Sequence, residues 1–145
     1  MEQRTAVLLL RPRTGEVSAG VTWPAATGRA RAVALLLAPD RFGTGSRAEC
    51  AAALANGTGA VVVDLRCADT GPHSADGAAY TLRWVADHAA ELGADATEVL
   101  VVSAPAAAAT ARRLTAGARD DGWPPVRHVR LDEFSTPGQS YRERD

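Results

Sequence analysis

Three continuous apolar runs of strand length constrain this chain most. They are AVALLLAP (32–39), GAVVVDLR (59–66) and EVLVVSAP (98–105). None alternates apolar with polar residues, so each reads as a strand buried on both faces, the habit of parallel sheets. Helical stretches separate them. Ser46 is suited to cap RAECAAALANG, with Glu49 three residues on as its capping-box partner, and Gly57 is expected to end that helix. AAYTLRWVADHAAELG (78–93) carries Leu82, Val85, Ala89 and Leu92 as an apolar stripe at helical spacing. Tyr80, Trp84, His88 and Glu91 run beside that stripe, and Gly93 closes the helix. AAAATARRLTAGARDDG (106–122) predicts a third helix.

The flanks complete the pattern. TAVLLLRPR (5–13) and VSAGVTWPA (17–25) read as two strands joined through a tight turn, hence a hairpin. PPVRHVRLDEF (124–134) gives a last strand, and STPGQSYRERD (135–145) a flexible polar tail. The predicted order is β-β-β-α-β-α-β-α-β. It implies an α/β three-layer sandwich: a mostly parallel sheet of about six strands, an N-terminal antiparallel hairpin, and helices on both faces. Residues 1–134 are expected to form one domain. Ligands of such sheets bind beyond the carboxyl ends of the strands, here Ala38–Gly45, Asp64–Ser74, Ser103–Ala108 and Asp132–Phe134.

Composition narrows the function classes. The 145 residues are 46% hydrophobic and 23% charged with a net charge of −1, so no basic field invites nucleic acid or an anionic membrane. The chain has no lysine and no isoleucine, which we read as genome composition rather than function. Cys50 and Cys67 match no metal spacing and are expected to be buried free thiols. No segment has the pattern of a signal peptide or a bilayer span, so the cytoplasm is the expected location. His73, His88 and His128 are scattered and form neither a metal set nor a triad in sequence; His73 is expected in a solvated loop and His88 on a helix surface. No cofactor is expected. Trp23, Trp84 and Trp123 read as core or interface packing.

Several stretches resemble the α/β-hydrolase fold, specifically the hormone-sensitive-lipase-type carboxylesterases. CAAALANGTGAVVVDLRCA (50–68) is similar to the family's helix and strand ending in D-Y-R-L-A: Asp64, Arg66 and Ala68 match, and Leu65 and Cys67 replace its Tyr and Leu. YTLRWVADHAAELGADATEVLVV (80–102) resembles the helix and strand before the nucleophile. VTWPA followed by AVALLLAP resembles the entry to the oxyanion loop. The resemblance covers residues 16–134 and is confined to the framework.

The catalytic stretches depart from the family. Where the family has H-G-G-G, this chain has Ala38, Pro39, Asp40 and Arg41; Pro39 has no N–H to donate, and Asp40 brings negative charge where an oxyanion must be stabilised. Where the family has G-D-S-A-G, this chain has Ser103, Ala104, Pro105, Ala106 and Ala107, which puts Pro105 at the nucleophile position. Proline suits the first turn of a helix instead. Ser103 falls two residues early, with no evident base or oxyanion partner in the sequence, and reads as a hydroxyl serving the helix N-terminus. The family's triad acid and base come after two further strands that this sequence does not contain.

The resemblance therefore implies a truncated hydrolase core without serine-hydrolase catalysis: a pseudoenzyme that binds a small molecule or serves as an accessory subunit. An enzyme of altered chemistry (a cyclase, isomerase or lyase) is the alternative, drawing on Asp40, Arg41, Ser103 or Asp132. A residual esterase using Ser103 is the third. Asp132 and Glu133 are neighbouring carboxylates at the end of the last strand, expected to be solvated rather than an acid–base pair. The last strand becomes an open sheet edge, where Arg127, His128 and Arg130 are charges of the kind that guard an edge; alternatively the edge pairs with another chain, and a homodimer or a partner protein is expected.

Overall fold

The computed structural model describes residues 3–11, 16–25, 28, 30, 32–42, 45–66, 74–95 and 98–133. Cys67, His73, Phe134 and the tail 135–145 lie outside the described residues, so expectations about them are not addressed by the structure. Among the described residues there are eight strands: β1 (Thr5–Leu10), β2 (Val17–Thr22), β3 (Ala32–Ala38), β4 (Arg41–Phe42), β5 (Gly45–Ser46), β6 (Ala60–Arg66), β7 (Val99–Ser103) and β8 (Val126–Arg130). The helices are α1 (Arg47–Thr58), α2 (Ser74–Asp87) and α3 (Ala108–Asp121). Six strands form one sheet in the order β1-β2-β6-β3-β7-β8, and β4 and β5 pair as a separate two-residue ladder. β1 and β2 are antiparallel, as are β2 and β6. β6, β3, β7 and β8 run parallel. The mixed three-layer architecture is the one the apolar runs predict.

β3 sits at the centre because both its faces are apolar. Val33, Leu35 and Leu37 pack with Leu82 and Val85 of α2 and with Ala111 and Leu114 of α3. Ala34, Leu36 and Ala38 pack with Ala51, Leu54 and Ala55 of α1. The pleat sends alternate residues to opposite faces, so α1 covers one side and α2 with α3 the other. Leu35, Leu36 and Leu37 are all fully buried.

Helix ends follow local chemistry, with three shifts. The Ser46 capping box forms: the Glu49 N–H donates to Ser46 Oγ at 3.1 Å and the Ser46 N–H to Glu49 Oε1 at 2.9 Å. α1 does not stop at Gly57, as expected from sequence. It runs to Thr58, and Gly59 takes the left-handed cap at φ 74° with its N–H on the Ala55 carbonyl. Gly57 carries no positive φ and stays in the helix. α2 begins at Ser74, four residues before the start expected at Ala78, with Asp76 in the first turn where the helix dipole favours it. It ends at Asp87. The Leu92 N–H is shared between the His88 and Ala89 carbonyls, which tightens the last turn before Gly93 reverses the chain at φ 86°. The last strand also ends early, at Arg130, and Leu131–Glu133 form a 3-10 turn.

Trp23 and Trp84 pack on the core, as expected. Trp123 does not: it is 44% exposed and donates its indole N–H to Asp87.

Leu36→Ala empties the α1 side of the central strand, and we expect it to cost about 2–5 kcal/mol of stability. A denaturant midpoint unchanged from that of the natural protein would contradict the assigned core.

Candidate functional site

The parallel strands bring their carboxyl ends to one edge. Ala38 is registered with Arg66, Leu37 with Ser103, and Ser103 with Arg130. This edge is where a nucleophile junction would stand. β7 ends at Ser103, Ala104 is extended (φ −70°, ψ 159°), and Pro105–Ala107 make a 3-10 turn into α3 with Pro105 at its start. No described non-glycine residue has a positive φ, so the strained backbone of a nucleophile elbow is not formed. The Ala104 N–H donates to the Leu37 carbonyl at 3.0 Å, so the sheet has taken the amide next to Ser103.

Ser103 is 1% exposed, and its Oγ lies 2.8 Å from Nε2 of the half-buried His128. Two sequence expectations are corrected here. Ser103 does have a basic partner, and its hydroxyl does not cap the following helix, whose start has no side-chain cap. His128 is registered with Val101, one pleat before Ser103, so the contact runs diagonally across two parallel strands. The 25 residues between the partners hide it in the sequence. The only sequence signal is that the two residues lie on strands consecutive along the predicted parallel sheet.

The end of β3 holds an ionic chain instead of an anion-binding loop. Asp64, on β6 and nearly buried, accepts from Arg47 Nε at 2.8 Å. Arg47 also reaches Asp40 Oδ1 at 2.7 Å, and Arg66 Nε reaches Asp40 Oδ2 at 3.0 Å. The hydrogen bond from Arg47 holds the Asp40 carboxyl below its usual range against the opposing effect of desolvation, with the charges of Arg66 and Arg47 adding to it. Burial pulls the Arg47 guanidinium down, but its bonds to Asp64 and Asp40 outweigh that and leave it raised. Asp40 therefore pairs with Arg47 and Arg66, which sequence reasoning missed, and not with its neighbour Arg41, which is exposed in β4. Gly20 is part of this arrangement. A Cβ there would fall 2.5 Å from Asp64 Oδ1, so only glycine lets β2 pass the carboxylate.

Asp132 is exposed and gripped by Arg130, Nε to Oδ1 at 3.2 Å and the terminal nitrogen to Oδ2 at 2.7 Å. That bond, with the Arg130 charge, lowers its pKa, so it is held as a carboxylate and not poised to donate a proton. The side chain of Glu133 lies outside the described residues. His88, expected on a helix surface, is half-buried just past α2. It stacks on Trp84 with ring centroids 4.2 Å apart and donates its Nδ1–H to the Trp84 carbonyl. Cys50 is a free, half-buried thiol, pushed up to about 11 by burial and by Asp64. Among the described residues no cluster of His, Cys, Asp or Glu could hold a metal, and no helix is long and apolar enough to cross a membrane. A groove of about 240 Å³ lies between α2 and α3, lined among others by Leu82, Arg113, Leu114 and Trp123, and includes none of Asp40, Arg41, Ser103 or Asp132.

Solved structures with this architecture include esterases. A hyperthermophilic esterase from the archaeon Pyrobaculum calidifontis matches 87% of this chain at 28% identity with a TM-score of 0.73. The protein DphMB1 matches 88% at 29% identity and 0.72. The chain has the α/β-hydrolase fold of hormone-sensitive-lipase-type esterases. A thermostable esterase from Pseudomonas putida shares that fold at 19% identity and a TM-score of 0.69. This α/β-hydrolase core spans 44% of the length of the first two proteins and 41% of the third. No family model and no curated protein matches the sequence.

Two measurements check the site. Gly20→Ala displaces Asp64 from Arg47 and should destabilise the fold by about 1–3 kcal/mol in denaturant titration. In a Cys67→Ser background, Cys50 should react with iodoacetamide at pH 8 roughly 100-fold more slowly than an unhindered thiol. Reaction at the free-thiol rate would contradict its burial.

Proposed function

We propose that this α/β-hydrolase-like chain is not a serine hydrolase and serves as an accessory subunit or small-molecule-binding protein in the cytoplasm. The carrying observation is the junction after β7: Pro105 falls at the nucleophile's place and opens a 3-10 turn with no left-handed backbone. Acyl transfer needs a nucleophile, a base and free oxyanion donors at one point. Pro39 supplies no donor at the facing loop, and Asp40 adds a carboxylate held by two arginines.

Altered chemistry in the same place is weakly supported, because Asp40, Ser103 and Asp132 are each already bonded to a protein partner. The free thiol Cys50 fits a reducing compartment. A partner protein has an entry along the edge strand β8, where Arg127, His128 and Arg130 would select a chain of complementary charge.

One specific observation favours a second reading, a residual esterase: the 2.8 Å contact of Ser103 with His128 is the geometry of a nucleophile and its base. Burial of Ser103 and the committed Ala104 amide weigh against it.

A fluorophosphonate probe and p-nitrophenyl acetate separate the two readings. The full chain should show no labelling and no hydrolysis above that of its Ser103→Ala variant. Labelling that Ser103→Ala abolishes would establish the esterase and overturn the proposal.

A further inference from the structure

The described sheet has two open edges of opposite character. β8 is short and carries Arg127, His128 and Arg130, with Arg127 bound to Glu98 at 3.3 Å and Arg130 to Asp132 at 2.7 Å. Charges of this kind discourage pairing with a second copy of the same strand. β1 has no such guard. Its six residues, TAVLLL, include no charge, no glycine and no proline. Val7 is 69% exposed and Leu9 59% exposed, the two most exposed large hydrophobic residues described. Their register partners on β2 are Gly20 and Ser18, so the sheet face beside them offers almost no apolar cover. Leu8 packs instead on the opposite face, against the core under α2 and α3.

We propose that β1 is a self-association edge, and that its occupant is β1 of a second copy of this chain, paired antiparallel about a two-fold axis at Leu8. This register sets Val7 opposite Leu9 of the second copy, and Leu9 opposite Val7, so all four exposed side chains cover one another. Leu8 meets its own counterpart, Ala6 meets Leu10, and Thr5 meets Arg11.

Charge selects this occupant and this edge. At β1 no like charges stand opposite each other. Arg11 is tied to Glu16 at 3.4 Å and Arg4 lies over the Trp23 ring at 4.2 Å, both within one copy. A β8–β8 pair would instead gather the Arg127, His128 and Arg130 of both copies into one strip, which like-charge repulsion opposes. The inference is independent of the proposed loss of hydrolysis.

The contact is small beside the roughly 800 Å² per partner of a stable interface, so dissociation in the micromolar range is expected. Sedimentation of the full chain should show monomer at about 1 μM and dimer near 200 μM. The double variant V7K/L9K should remain monomeric across that range. V7T/L9T keeps strand propensity, should melt as the natural protein does, and should also weaken the dimer at least ten-fold; it stands in if the lysine variant does not fold. V129K, on the other edge, should leave the dimer intact. A natural chain that stays monomeric at the upper concentration, a species larger than a dimer, or a dimer dissolved by V129K and untouched by V7T/L9T would overturn the proposal.

Discussion

The ladder that holds β3 between β6 and β7 carries the rest of the molecule. Both edges of β3 are paired in parallel register, from Ala32 with Ala60 to Leu37 with Ser103. Both of its faces are apolar, and its alternate residues seed the two core layers. Such a strand leaves its backbone no partner but its neighbours, since water cannot reach it. Strand register and the side of the sheet each helix covers follow from that one pairing. The alignment of the carboxyl ends at a single edge follows too.

The same ladder shapes the chemistry of that edge. Its bonding continues one residue past β7, where the Ala104 N–H meets the Leu37 carbonyl. In the esterase-type architecture the amide that faces the reacting oxygen belongs to the residue after the nucleophile; the Ala104 amide, two residues before that position at Ala106, extends the sheet. Pro105 then opens the next turn without left-handed backbone. Across the edge, Asp40 closes a chain of ion pairs through Arg47 to Asp64, and Gly20 makes room for the buried carboxylate. Removing one member of a buried charge pair is costly, because it strands the other. The polar residues of this edge thus stabilise the fold as they stand.

What was legible in the sequence was local. Ser46 and Glu49 are three residues apart, so their capping box needs no tertiary information. The stripe of Leu82, Val85, Ala89 and Leu92 likewise reports its buried face through spacing alone, and all four join or pack on the core. Errors arose where two local signals competed. Gly57 and Gly59 both punctuate α1, and only the chain's path into β6 decides which takes the left-handed cap. Within the candidate site, the place of Pro105 in the first turn after β7 was readable. The Ser103–His128 contact was not, because one pleat of slip between β7 and β8 would remove it.

The sequence by itself determined the alternation of buried strands and helices, the hairpin at the start, and a proline at the turn that follows β7. Those follow from periodicity and from the covalent nature of proline, neither of which depends on distant residues. Only the tertiary structure decided that Ser103 binds His128, that Asp40 pairs with Arg47 and Arg66 instead of Arg41, and that β1 presents Val7 and Leu9 at an unguarded edge. Each depends on which strands become neighbours and in what register. That is settled by the packing of the whole sheet, since no single strand can bury its own faces.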